Sequence, residues 1–158
     1  MLRDARFDST TQYRYWLARA WSDAPRIGFV MLNPATADAT RDDPTLRLCM
    51  GFARQWGYGG LEVVNLFAFR TSYPRELRQI SDPVGERNDA AILETAARVD
   101  ALVVAWGNHG SFQGRDQHVL RLLGDRVPLL TFGRTKSGQP RHPLHLGYIT
   151  PVTPYRIP

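Results

Sequence analysis

The stretch Ile27-Gly28-Phe29-Val30-Met31-Leu32-Asn33-Pro34 decides the fold. It is a short apolar run between Pro25 and Pro34, which reads as a strand buried on both faces. Pro34 has no N–H to give a ladder and keeps Asn33 extended, so the strand stops there. The loop that follows, residues 35–43, is polar and carries Asp38, Asp42 and Asp43. In an open α/β sheet, ligands sit outside the carboxyl ends of the strands, so this loop is a candidate site.

Three more short apolar runs lie downstream, at residues 61–67, 101–106 and 128–132. Segments with helical spacing separate them. Asp43-Pro44 has the form of an N-cap followed by proline at the first helical position, with Leu46, Cys49, Met50, Ala53 and Trp56 at helical intervals and Gly57 as the stop. Residues 86–98 and 115–123 are amphipathic at the same period, and residues 70–83 are a longer connection with room for one helical turn. Upstream, residues 12–21 alternate apolar side chains with arginines, as expected of a half-buried edge strand antiparallel to its neighbour. Strands alternating with helices require crossover connections. The pattern predicts an α/β fold, a three-layer α/β/α sandwich with a four-stranded parallel central sheet plus an N-terminal edge strand. Residues 1–158 are expected to form a single domain.

Composition narrows the function. The chain is 43% hydrophobic and 22% charged, ordinary for a globular protein. No apolar run is long enough to span a bilayer, and the N-terminus has no signal-peptide character, so no membrane role and a cytoplasmic location are expected. The single cysteine, Cys49, fits a reducing compartment and excludes a cysteine-based zinc site. The four histidines fit no common metal spacing, so neither a metal nor another cofactor is expected. The formal charge is +5, and of the 20 basic residues only Lys136 is a lysine. Arginine suits phosphate and base edges, yet a genome rich in arginine codons explains the same bias equally well.

The polar residues Asn33, Asn65, Asn108, His109 and His142 all fall just past strand ends. On a parallel sheet those ends share one edge, so the five are expected to converge. The loop at 133–141 combines glycines with Arg134, Lys136 and Arg141, a phosphate-gripping composition. Arg41 or Arg47 is available to neutralise the acidic loop.

The motifs Met31-Leu32-Asn33-Pro34, Asp43-Pro44-Thr45-Leu46-Arg47, Gly57-Tyr58-Gly59-Gly60, Val64-Asn65-Leu66-Phe67-Ala68-Phe69-Arg70, Trp106-Gly107-Asn108 and His142-Pro143-Leu144 resemble a bacterial domain-of-unknown-function family, DUF1643. More distantly, the order of strand-end motifs is similar to the uracil-DNA glycosylase superfamily. Asn33-Pro34 corresponds to its first motif, Val63-Val64-Asn65 to the second, Trp106-Gly107-Asn108-His109 to the third and His142-Pro143-Leu144 to the fourth. That resemblance implies hydrolysis of an N-glycosidic bond in a flipped-out nucleotide. Asn33 would position the attacking water without deprotonating it, because an amide takes no proton near neutral pH. A carboxylate must then assist: Asp38 or Asp42, since Asp43 beside Pro44 reads as an N-cap. His142 would stabilise the departing base. Asn65 would pair with the base edge, Phe67 or Phe69 would stack on it, and Asn108 and His109 would support it. Arg134, Lys136, Arg141 and Arg47 would meet phosphates. Three readings follow, in this order: a glycosylase-like hydrolase acting on DNA, a nucleoside or nucleotide hydrolase, and a non-catalytic nucleic-acid or nucleotide-binding module.

Overall fold

The structure, a computed structural model, describes residues 1–157. Its strands are Leu2–Phe7 (β1), Arg14–Ala20 (β2), Arg26–Met31 (β3), Gly60–Asn65 (β4), Leu102–Val104 (β5), Leu129–Thr131 (β6) and Thr153–Pro154 (β7). Three α-helices span Pro44–Gln55 (α1), Asn88–Arg98 (α2) and Arg115–Leu123 (α3). Short 3-10 segments cover Pro74–Gln79 and Asn108–Gly114.

The strands form one seven-stranded mixed sheet in the order β1-β2-β4-β3-β5-β6-β7. The expectation of a four-stranded parallel sheet with one added edge strand is too small. Parallel pairing joins β4 to β3, β3 to β5 and β5 to β6. Antiparallel pairing adds β2 and β1 on one side and β7 on the other. The predicted edge strand β2 is therefore interior, bonded to β1 and β4. Its cover, β1, reads Leu-Arg-Asp-Ala-Arg-Phe; it is mostly exposed and has no apolar run to announce it. Arg3, Asp4 and Arg6 put charge on this free edge, which discourages pairing with other chains. Proline is tolerated in β7 because that strand lies at the opposite edge.

Two apolar clusters lie on opposite faces of the sheet. One gathers Leu46, Cys49, Phe52 and Ala53 of α1 against Ile27, Phe29, Leu61 and Val63. The other gathers Ile92 and Ala96 of α2 and Val119, Leu120 and Leu123 of α3 against Val30, Val64, Leu102 and Val104. Alternate side chains of β3 and β4 feed the two clusters, which is why both strands read as unbroken apolar runs. Gly28 is needed for close approach: a Cβ there would stand 2.4 Å from Cδ2 of Leu102 on the paired strand β5. Glu62 is the exception in β4. It is fully buried and accepts from Trp16 Nε1 at 2.7 Å and Arg98 Nη2 at 2.8 Å.

Helix α1 begins as its sequence dictates. The Asp43 side chain accepts from the Leu46 amide at 2.8 Å and Pro44 opens the first turn. It stops before Gly57, whose φ of +84° few other residues tolerate.

Candidate functional site

A cavity of about 80 Å³ opens at the carboxyl ends of β3 and β4. Asn33, Asn65, Asp43 and His142 line it together with Arg14, and Cys49 lies in its wall. The strand-end convergence thus holds for three of the five polar residues. Asn108 and His109 sit instead in the exposed 3-10 segment outside the lining.

Each lining side chain is held in place. Asn33 donates through Nδ2 to the carbonyls of Pro34 at 3.0 Å and Thr71 at 2.7 Å, which leaves its Oδ1 without a partner among the described residues. Asn65 ends β4, and its backbone carbonyl accepts from buried Asn88 at 2.9 Å. Arg115, at the start of α3, donates to the next carbonyl, Leu66 O, at 2.7 Å. His142 accepts from the Leu144 amide through Nδ1 at 3.0 Å, so a neutral ring carries its proton on Nε2. Burial holds the imidazole below its ordinary value, with His145 pushing the same way and Asp43 opposing.

The loop that delivers His142 is anchored from β5 and α3. Trp106 Nε1 donates to Gln139 Oε1 at 2.9 Å, and Gln139 Nε2 donates to Asp116 Oδ2 at 3.0 Å. The Gly107 amide donates to Pro140 O at 2.8 Å, and the Thr135 hydroxyl donates to Asn108 Oδ1 at 2.6 Å. Asn108 therefore ties two loops together.

Arg14 is the residue that sequence reading missed. It looked like the solvent side of an edge strand; β2 is interior, and the loop after β3 and the end of β4 cover Arg14, which is buried. Nη1 donates to Ala37 O at 3.0 Å and Nη2 to Asn65 Oδ1 at 3.4 Å, while Nε has no partner. No carboxylate lies within ion-pair distance among the described residues. Burial pulls this guanidinium down to about 10, with Asp43 the largest opposing influence. A buried charge without a counter-ion is costly and concentrates at functional sites.

The acidic loop is arranged differently from the expectation. Asp38 and Asp42 are outside the cavity lining, and Asp43 is the carboxylate that reaches it. Asp38 Oδ1 accepts from the amides of Thr40 and Arg41, bonds that hold its acid at about 2. Asp42 pairs with Arg19 at 3.0 Å and Arg3 at 3.2 Å. Arg41 reaches Asp38 at 3.4 Å, and Arg47 is exposed and pairs with no carboxylate among the described residues. The loop's charge is thus met largely from within the fold.

The remaining predicted residues lie elsewhere. Phe67 is fully buried in the α2/α3 cluster, 5.7 Å from Phe112 between ring centres. Arg134 donates to the carbonyls of Gly138 and Arg156 and lies over Tyr155. Arg141 donates to Phe132 O at 3.4 Å, and Lys136 is exposed. None of them lines the cavity. Among the described residues no cluster of histidine, cysteine and carboxylate side chains could hold a metal ion. No helix there is long and apolar enough to cross a membrane.

These features define an α/β protein with a small cavity at the carboxyl edge of its parallel strands, in which two asparagines, an aspartate, a histidine and a buried arginine share the lining with apolar side chains such as Met31, Leu46 and Val63. The chain belongs to the family described as protein of unknown function (DUF1643), whose family model matches residues 14–144. No curated protein matches the chain, and no solved structure does. The matched span begins at Arg14 and includes every cavity residue named above.

Proposed function

We propose that this chain hydrolyses an N-glycosidic bond, holding the nucleobase of a nucleotide unit in the cavity, as the likeness of its strand-end motifs to the uracil-DNA glycosylase superfamily suggests. The single observation that carries the reading is that Asn33, Asn65, Asp43 and His142, distant in sequence, line one cavity. The parallel order β4-β3-β5-β6 within the sheet is compatible with a glycosylase-like α/β/α core.

The chemistry assigns each side chain a task. Asn65, its oxygen turned to Arg14, offers its amide N–H groups to an acceptor on the base. Asn33 Oδ1 accepts from a water and orients it. Asp43 takes the proton from that water as its oxygen bonds to the anomeric carbon. Asp43 uses one oxygen to cap α1, and the other has no partner among the described residues. The C–N bond breaks with its electron pair passing to the base, and the His142 Nε2–H donates to the charge that develops there. A second carboxylate is not required.

The reading is tested by incubating the full chain with oligonucleotides containing uracil, hypoxanthine or alkylated bases, and with free nucleosides and nucleotides. Base release is measured by chromatography, with His142→Ala as control. Turnover in the wild type that the variant lacks supports it; absence of release from every substrate refutes it and leaves a binding module.

A further inference from the structure

Beside the cavity lies an open groove of about 440 Å³ that shares Ala35 with it. Thr11, Thr36, Thr71 and Ser72 line it together with Arg70, and no carboxylate does. Arg70 donates Nε to Ala35 O at 3.2 Å and Nη1 to Thr11 O at 3.1 Å, and lies 4.9 Å over the Phe7 ring. Its partners are neutral carbonyls and a ring face, and among the described residues it forms no ion pair. Among the described residues neither N–H of Nη2 has a protein acceptor. The guanidinium is pinned at two points with its remaining donors unspent.

We propose that this groove is the subsite for a phosphorylated sugar, with the phosphate paired to Arg70. The proposal rests on the hydrolase reading only in placing the attached base in the cavity. A pinned arginine among hydroxyl groups suits a phosphate: the planar fork meets two oxygens at once, and hydroxyls donate to phosphate oxygens or accept from sugar hydroxyls. The lip between groove and cavity is the segment from Asn33 to Ala35. Thr71 braces it: its amide donates to Pro34 O at 2.9 Å and its carbonyl accepts from Asn33 Nδ2 at 2.7 Å. A ligand that spans the lip brings the bond between base and sugar beside Asn33, the residue assigned to the water. The Thr71 hydroxyl is committed to Glu76, so Thr11, Thr36 and Ser72, all exposed, carry the free hydroxyls among the described residues. The glycine-rich loop with Arg134 and Lys136 has no role in this arrangement.

The test is calorimetric titration of the full chain with common and uracil- or hypoxanthine-bearing nucleosides, their monophosphates, and a short single-stranded oligonucleotide. It is repeated with Arg70→Gln and Thr36→Glu. Among the described residues Thr36 makes no side-chain hydrogen bond, so the second variant adds repulsion to the groove without removing a contact; an unchanged melt verifies its fold. Phosphorylated ligands are expected to bind at least about tenfold more tightly than their nucleosides, as a charge-assisted hydrogen bond implies. Both variants are expected to erase that advantage. A mononucleotide that binds as tightly as the oligonucleotide makes the free nucleotide the ligand; a further gain with steep salt dependence makes it the polymer, and both uphold the groove. Equal affinity for nucleoside and nucleotide, no nucleotide binding at all, or a phosphate advantage that survives Thr36→Glu overturns it. Phosphate-dependent binding without base release keeps the groove and removes the hydrolase reading; base release without a phosphate advantage does the reverse.

Discussion

Arg14 and Asn65 meet beneath the cavity, the guanidinium Nη2 of one donating to the side-chain oxygen of the other across 3.4 Å. They lie on neighbouring antiparallel strands, so sheet pairing brings them together. The contact fixes which way the Asn65 amide faces. Its oxygen is occupied and its N–H groups remain for a ligand.

Replacing Asn65 by aspartate puts a carboxylate against that uncompensated guanidinium and removes the amide donor. The expected result is a protein that melts higher, by about 2–4 °C for each kcal/mol gained, and that, on the proposed function, no longer binds a nucleobase. A thermal melt and a ligand titration check both halves. A lower melting temperature in Asn65→Asp would show that Arg14 does not lack a counter-charge.

The three aspartates of the loop separate cleanly. Asn caps a helix as well as Asp does, so Asp43→Asn preserves α1 while removing the one carboxylate in the cavity lining. Under the proposed hydrolysis, base release is expected to fall by about 100-fold or more in Asp43→Asn. Asp38→Asn lies outside the lining and should keep its rate within about threefold, because it touches no reacting group. Single-turnover rates of the two variants decide; equal rates would remove Asp43 from the mechanism.

Arg19 is a structural residue. It is fully buried and donates to Asp42 Oδ1 at 3.0 Å, Asp38 O at 2.6 Å, Arg41 O at 3.1 Å and Ala18 O at 2.9 Å. Arg19→Met strips the acidic loop of its anchor and leaves Asp42 facing only Arg3. The expected loss is about 3–5 kcal/mol in urea unfolding, the range for breaking a buried ion pair. A loss under 1 kcal/mol would mean that the loop is held by other contacts.

His142 makes stability depend on pH with a definite sign. Its imidazole is held below the ordinary 6.5, first by burial. The unfolded chain therefore binds a proton before the folded one does. The His142 contribution is complete above about pH 6.5 and is lost as pH falls through the lowered folded value. Protonation also breaks the bond from the Leu144 amide to Nδ1. Comparing wild type with His142→Gln across pH 5–7, with an NMR titration of the ring, tests this; a ring that titrates above 6.5 contradicts it.

Cys49 is buried in α1 at the cavity wall, and burial pushes its thiol well above the ordinary range. A chromogenic disulfide should modify it only at the rate at which the fold opens, and at once in denaturant. Rapid modification of the native protein would show that reagent enters through the cavity.

Much of the architecture was legible along the chain because its signals are local. The apolar runs of β3 and β4, the Asp43-Pro44 cap and the spacing of Leu46, Cys49 and Ala53 each follow from neighbours in sequence. β1 was not legible, since a polar edge strand has neither an apolar run nor strict alternation. That omission misplaced β2 at an edge, and the acidic loop folding back over β2 covers Arg14 at Ala37 O and Arg19 at Asp38 O and Arg41 O, two side chains that the alternation pointed to solvent. The same kind of limit applies within the acidic loop. Asp38, Asp42 and Asp43 look alike in sequence, and their different partners come from β2, from their own turn and from α1.

By itself the sequence determined where strands stop. Asn33-Pro34 and Asn65 are set by proline geometry and by apolar runs giving way to polar residues, and those local rules placed two cavity side chains, whereas His142 lies well past β6 on a loop that Trp106, Gly107 and Asp116 anchor. Only the tertiary structure decided which charges are neutralised and which are left for a ligand. Asp42 is matched by Arg19 from β2, Asp43 faces the cavity, and Arg14 is buried with no carboxylate within ion-pair distance. The physical reason is that a side chain's local preference is written in its neighbours, whereas its electrostatic partner is fixed by strand register and sheet order, which arise from contacts far apart in the chain.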